Sequence, residues 1–113
     1  MSAGTARDET LAQLRKTRKA MLSAEWKLSL EDADAATQSR AARDLLRVEH
    51  GIQNLENAVL AEIAAALVAN ERDLETGRKA VARALTKLDD TKAVLTALSG
   101  FLSIVGRIVT LVA

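Results

Sequence analysis

The chain has 113 residues, 49% of them hydrophobic and 27% charged, with no proline, cysteine or tyrosine. Alanine (22) and leucine (17) dominate, a composition of long helices that all but excludes β-structure and predicts one domain that needs no disulfides. Sixteen Lys and Arg against fifteen Asp and Glu leave a net charge of +1, which excludes a strongly basic nucleic-acid binder, and one histidine without cysteine leaves zinc, haem and iron–sulfur sites short of ligands.

The start, MSAGTARDETLAQ, carries charges where a secretory signal needs an apolar run. No signal peptide is read, and a cytoplasmic location is expected, with membrane association as the variant. Thr5 followed by Asp8 is a capping pattern, and the first helix is expected over about 5–28. Its apolar residues Leu11, Leu14, Met21, Leu22, Trp26 and Leu28 form an untidy stripe, broken by Arg15, Lys16, Arg18 and Lys19. These four cations are the candidates for an anionic contact, with phosphate or a lipid headgroup. The plainer reading is a solvated face folded near Glu31, Asp32 and Asp34. Trp26 is expected to anchor the bundle. Ser29 and Asp32 form the next capping signal and place a turn near 28–30.

The second helix is expected over about 30–69, with an apolar line on Leu45, Val48, Ile52, Leu55, Val59, Ile63 and Ala66 at steps of three and four. Gly51 interrupts it at a cost of about 1 kcal/mol relative to alanine. His50 has no strong metal ligand one turn away, and is read as an ordinary helix residue. Glu62 falls where the line wants an apolar side chain, and is read as pairing with a cation or fixing register. The polar group Asn70, Glu71, Arg72 and Asp73 marks the hairpin turn.

The third helix is expected over about 71–112 and carries the cleanest pattern: Leu74, Val81, Leu88, Leu95, Leu102 and Val109 are spaced by seven, with Leu98, Val105 and Val112 beside them. A straight helix of that length would be a rod of roughly 60 Å. Within it, residues 93–113 hold a single charge, Arg107, and reach the length of a membrane span. The polar and small residues Thr96, Gly100, Ser103, Gly106, Arg107 and Thr110 fall on one side, as they would on a solvent-facing stripe or a close helix contact within a membrane.

These elements predict an all-α fold: a long antiparallel hairpin of residues 30–69 and 71–112, coiled-coil-like, with the shorter helix 5–28 packed at its base. The expected function is non-enzymatic assembly, through an apolar seam on the C-terminal helix that meets a second copy or another helical protein. The alternative is a small membrane-associated protein that inserts residues 93–113. No cofactor, small-molecule substrate or nucleic-acid partner is expected, since the glycines are isolated and no catalytic constellation is present.

Overall fold

The computed structural model describes residues 2–111. Among these residues are six helices: α1 Ala3–Met21, α2 Ala24–Glu31, α3 Ala35–Asn57, α4 Leu60–Ala69, α5 Glu71–Ala84 and α6 Thr91–Val105. They form an all-helical bundle around one hydrophobic core. The expected all-α bundle stands, while the long rods do not: the largest extent of the molecule is 44 Å. Each of the three expected helices is cut, and each cut has a local or tertiary cause.

The first helix begins two residues before Thr5, because Ser2 caps it by accepting a hydrogen bond from the Thr5 N–H. It stops at Met21, well short of 28. Ser23 is responsible, since its hydroxyl donates to Ala20 O and accepts from the Trp26 N–H. One side chain thereby closes α1 and opens α2, satisfying groups that helix termini otherwise leave unpaired. Ser29, read as a cap, lies inside α2 and donates back to Glu25 O. The cap of α3 is Asp34, whose carboxylate accepts from the Thr37 N–H, and hydrogen bonding to the Thr37 side chain and to this N–H holds the carboxyl below the usual range.

The expected helix 30–69 is cut twice, first at 32–34 and then at Ala58 and Val59, which are extended. Neither proline nor glycine marks the second cut, and Val59 gives α4 no side-chain cap. Packing is the cause. The two extended residues redirect the chain so that Leu60, Ile63 and Leu67, spaced by three and four, pack on α1. Val59, expected on the apolar line, is left 58% exposed.

A single residue, Asn70, joins α4 to α5 in place of the expected four-residue turn. The expected helix 71–112 is cut at 85–90, where Asp90 caps α6 through the Ala93 N–H. Leu88 keeps its heptad place without being helical, because the loop folds its side chain into the core. After Val105 the chain turns back, and Leu111 covers Gly51, whose missing Cβ would lie 3.1 Å from a Leu111 methyl. The interruption at Gly51 is thus a contact site for the C-terminal end. α5 and α6 pack most extensively on one another, and α3 lies against both α1 and α6. Trp26 is 1% exposed, the anchor expected of it.

Candidate interaction surface

The heptad residues point inward. Leu74, Val81, Leu88, Leu95, Leu98, Leu102 and Val105 are all buried in the chain's own core, Val109 is half-buried, and Val112 lies outside the described residues. The apolar arc of α6 is covered by α5, α3 and α2, so the seam read for assembly is occupied within one copy. Three helices converging on α6 cover what a pair of long rods was expected to cover. The same packing bears on insertion of residues 93–113. Residues 93–105 are the last thirteen of the 15-residue α6 and residues 106–111 turn back, the final two of the segment lying outside the described residues, and among the described residues no helix is long and apolar enough to cross a membrane.

The polar stripe points outward. Thr96, Gly100, Ser103, Gly106, Arg107 and Thr110 are all exposed. Arg107 is already engaged, donating to Asn70 Oδ1 at 3.1 Å and pairing with Asp73 at 3.1 Å, so the one charge of the apolar segment ties the end of α6 to the α4–α5 joint. Beside it, Thr76, Gly77, Ala80, Thr96, Ala97 and Gly100 line an open groove of about 260 Å³ between α5 and α6, with Phe101 and Ile104.

The basic cluster is divided. Arg15 pairs with Glu56 of α3 at 3.6 Å, and Arg18 lines the same hollow as Glu49 and Glu56. The acidic partner is therefore the far end of α3 rather than the expected Glu31, Asp32 and Asp34. Lys16 lines a cleft between α1 and α5, and Lys19 is exposed on its own. No concave cationic site gathers the four. His50 is committed through Nδ1 to Leu111 O at 3.1 Å, and among the described residues no group of three His, Cys, Asp or Glu is placed to hold a metal.

Two features lay outside the reach of the sequence pattern. The first is Asp44, 2% exposed on α3, between Arg40 at 3.9 Å and Arg47 at 3.7 Å, with Oδ2 making no hydrogen bond. Burial pushes its carboxyl above the usual range, against the pull of Arg47, Arg40 and Arg43. A raised folded-state pKa means that the native state holds the proton more tightly, so stability falls as pH rises from the unfolded carboxyl value through the folded one. Asp44→Asn removes the buried charge while the half-exposed arginines keep their water. The variant is expected to melt about 2–5 °C higher than the parent at pH 7, with the gap closing toward pH 3, as thermal melts across pH will read. A variant that melts lower by the same amount at every pH would refute this.

The second feature is the outer face of α4. This helix has one charge in ten residues, LAEIAAALVA, and packs against α1 through Leu60, Ile63 and Leu67. Its other side leaves Ala61, Ala65, Ala69 and Val68 in solvent, Val68 at 54%. The spacing of the alanines by four was legible, and only the assumption of a continuous helix hid which side they face. Compared with known proteins, the chain matches no family, no curated protein and no solved structure.

Proposed function

We propose that this chain is a non-enzymatic helical interaction module whose contact surface is the outer face of α4. The observation that carries the reading is an apolar ten-residue helix that buries one side on α1 and leaves the other uncovered. A surface helix ordinarily turns a charged side to water, and an uncovered apolar face marks an interaction site. The arc of α6, the surface expected from sequence, is spent in the core. What survives of that expectation is assembly through a helix face, moved to another helix.

A second reading places a partner helix in the α5–α6 groove, favoured by Gly100, above which a side chain would meet nothing within 4 Å. Site-specific photo-crosslinking in cell extract, with the probe at Ala65 or at Thr96, separates the two. Position 65 is expected to give saturable adducts of discrete mass that excess unlabelled chain competes away and that Val68→Glu abolishes. Discrete adducts from position 96 alone would transfer the function to the groove. Non-saturable adducts at both positions would remove the interaction reading, and flotation of the intact chain with anionic vesicles would move it to a lipid surface.

A further inference from the structure

We propose that the cleft where α3 lies between α1 and α6 is a peptide-binding site for an extended apolar segment anchored by a leucine, and that the chain's own Thr110 and Leu111 fill it as an internal ligand. The site is separate from the α4 face and does not depend on it. Around the point where a Cβ on Gly51 would stand lie a Leu14 methyl of α1 at 3.5 Å, a Val105 methyl of α6 at 3.8 Å and a Leu111 methyl at 3.1 Å. Leu111, seated among them, is 5% exposed. Only its distance is tighter than ordinary van der Waals contact, so an alanine at 51 would suit the empty cleft and crowd the filled one. Glycine inside a helix such as α3 is destabilising relative to alanine. The group that calls for glycine here is the occupant.

The backbone of the occupant is held by side chains. Residues 106–109 turn back on α6 through backbone bonds, from the Gly106 N–H to Leu102 O and from the Val109 N–H to Val105 O. Beyond them, Thr110 O accepts from Asn54 Nδ2 and Leu111 O lies 3.1 Å from His50 Nδ1, and among the described residues no backbone group bonds to either residue. A carbonyl can only accept, so Nδ1 of His50 carries the proton of that bond. His50 and Asn54 are four residues apart on α3, and therefore stand on one face beside the cleft. Donors that bond a backbone fix the path of a segment whatever its sequence, while a pocket for one side chain sets the preference. Here the pocket takes a branched aliphatic side chain and the donors take two consecutive carbonyls. The tie is light: one buried side chain and two bonds from half-buried residues hold positions 110 and 111, and the core continues beneath them, which places this segment among the first parts to open. A second copy offers the same residues with the same contacts, and cannot win against a segment tethered beside the cleft at an effective concentration of about millimolar. The occupant in trans is therefore a partner protein whose leucine-bearing segment makes more contact than Thr110 and Leu111 do.

The test titrates a dye-labelled peptide of residues 106–113, GRIVTLVA, with the intact chain and its variants up to about 500 μM, read by fluorescence anisotropy. The parent is expected to bind feebly, because its own segment must leave first and the apparent affinity falls in proportion to the open fraction. Leu111→Asp vacates the cleft, and is expected to bind the peptide about tenfold or more tightly than the parent, with the emission of Trp26 and the cooperative melt unchanged. Adding His50→Ala or Asn54→Ala to that variant should weaken binding roughly threefold to tenfold, the loss of one hydrogen bond, and a peptide carrying Leu111→Asp should not bind. A folded Leu111→Asp chain that leaves the peptide free at the highest concentration overturns the site. Equal affinity of parent and variant overturns Thr110 and Leu111 as the internal ligand, and binding that His50→Ala and Asn54→Ala both leave unmoved overturns the clamp. Unfolding of Leu111→Asp and of the milder Leu111→Ala alike would make Leu111 a part of the core that the bundle cannot release, and overturns the proposal as a whole. A one-to-one pair of parent with Leu111→Asp in sedimentation would overturn the partner protein and make a second copy the occupant.

Discussion

Leu102→Asp is expected to unfold this chain rather than to separate it from a partner. Leu102 is 0% exposed, at the level of α6 where Phe101 and Val105 are equally buried, so the substitution removes packed methyl groups and leaves a carboxylate without water or a cation. Loss of a buried leucine side chain costs about 2–5 kcal/mol, and an unpaired buried charge adds several more. Against the roughly 6–17 kcal/mol that a chain of this length commands at 0.05–0.15 kcal/mol per residue, that is most or all of the stability. The single tryptophan, Trp26, reports the result directly, because it is fully enclosed in the native bundle. Its emission should shift to that of a hydrated indole, and the helical signal should lose its cooperative melt. Ser103→Asp, one residue on and exposed, should leave both within about 0.5 kcal/mol of the parent. A folded, monomeric Leu102→Asp chain would mean that the seam belongs to an interface, and would remove the placement of that residue in the core.

The contrast between these neighbours shows what the sequence exposed to reading. Which residues of α5, α6 and the loop between them face inward was legible from the sevenfold spacing of Leu74, Val81, Leu88, Leu95 and Leu102, since a face that repeats must be buried against something. What buries it was not legible, because the pattern is the same whether the cover is a second chain or three helices of the same one. The spacing also concealed the loop at 85–90. Leu88 sits in the core from non-helical backbone, and a period counted through it reads as unbroken helix.

Helix ends divided along similar lines. Asp34, Asp90 and Ser23 act through short-range hydrogen bonds that local sequence can suggest. The break at Ala58 and Val59 has no such signal and follows from where Leu60, Ile63 and Leu67 find a surface to cover. The candidate contact face was lost for that reason. With α3 and α4 read as one helix, the alanines at 61, 65 and 69 shared a rod with Val48, Ile52 and Leu55, and only the redirection of α4 turns them toward solvent. Glu62 stood out as misplaced in either reading, and its oddity is resolved by exposure rather than by a buried partner.

Two glycines on facing helices are expected to answer the same substitution with opposite signs. Alanine is favoured over glycine in a helix interior by about 0.5–1 kcal/mol, chiefly because glycine loses more backbone freedom on folding. At Gly100 nothing lies within 4 Å of the added Cβ, so Gly100→Ala should stabilise the chain by that amount. At Gly77 the Cβ would lie 2.9 Å from the Phe101 ring, 3.3 Å from Phe101 Cα and 3.4 Å from its Cβ. The ring has little room to swing aside, because Phe101 is 0% exposed and belongs to the hydrophobic core, and the Cα can retreat only if α6 moves as a whole. Such overpacking costs about 1–3 kcal/mol, which exceeds the gain in helix propensity, so Gly77→Ala should be destabilising and Gly77→Leu more so. Denaturant melts of the single variants, and of Gly77→Ala combined with Phe101→Leu, measure the effect. In the double variant the loss should be less than the sum of the two, since the slimmer side chain vacates part of the space the new methyl needs. If Gly77→Ala proves as stabilising as Gly100→Ala, the close approach of α5 to α6 at Phe101 is not what fixes glycine at position 77.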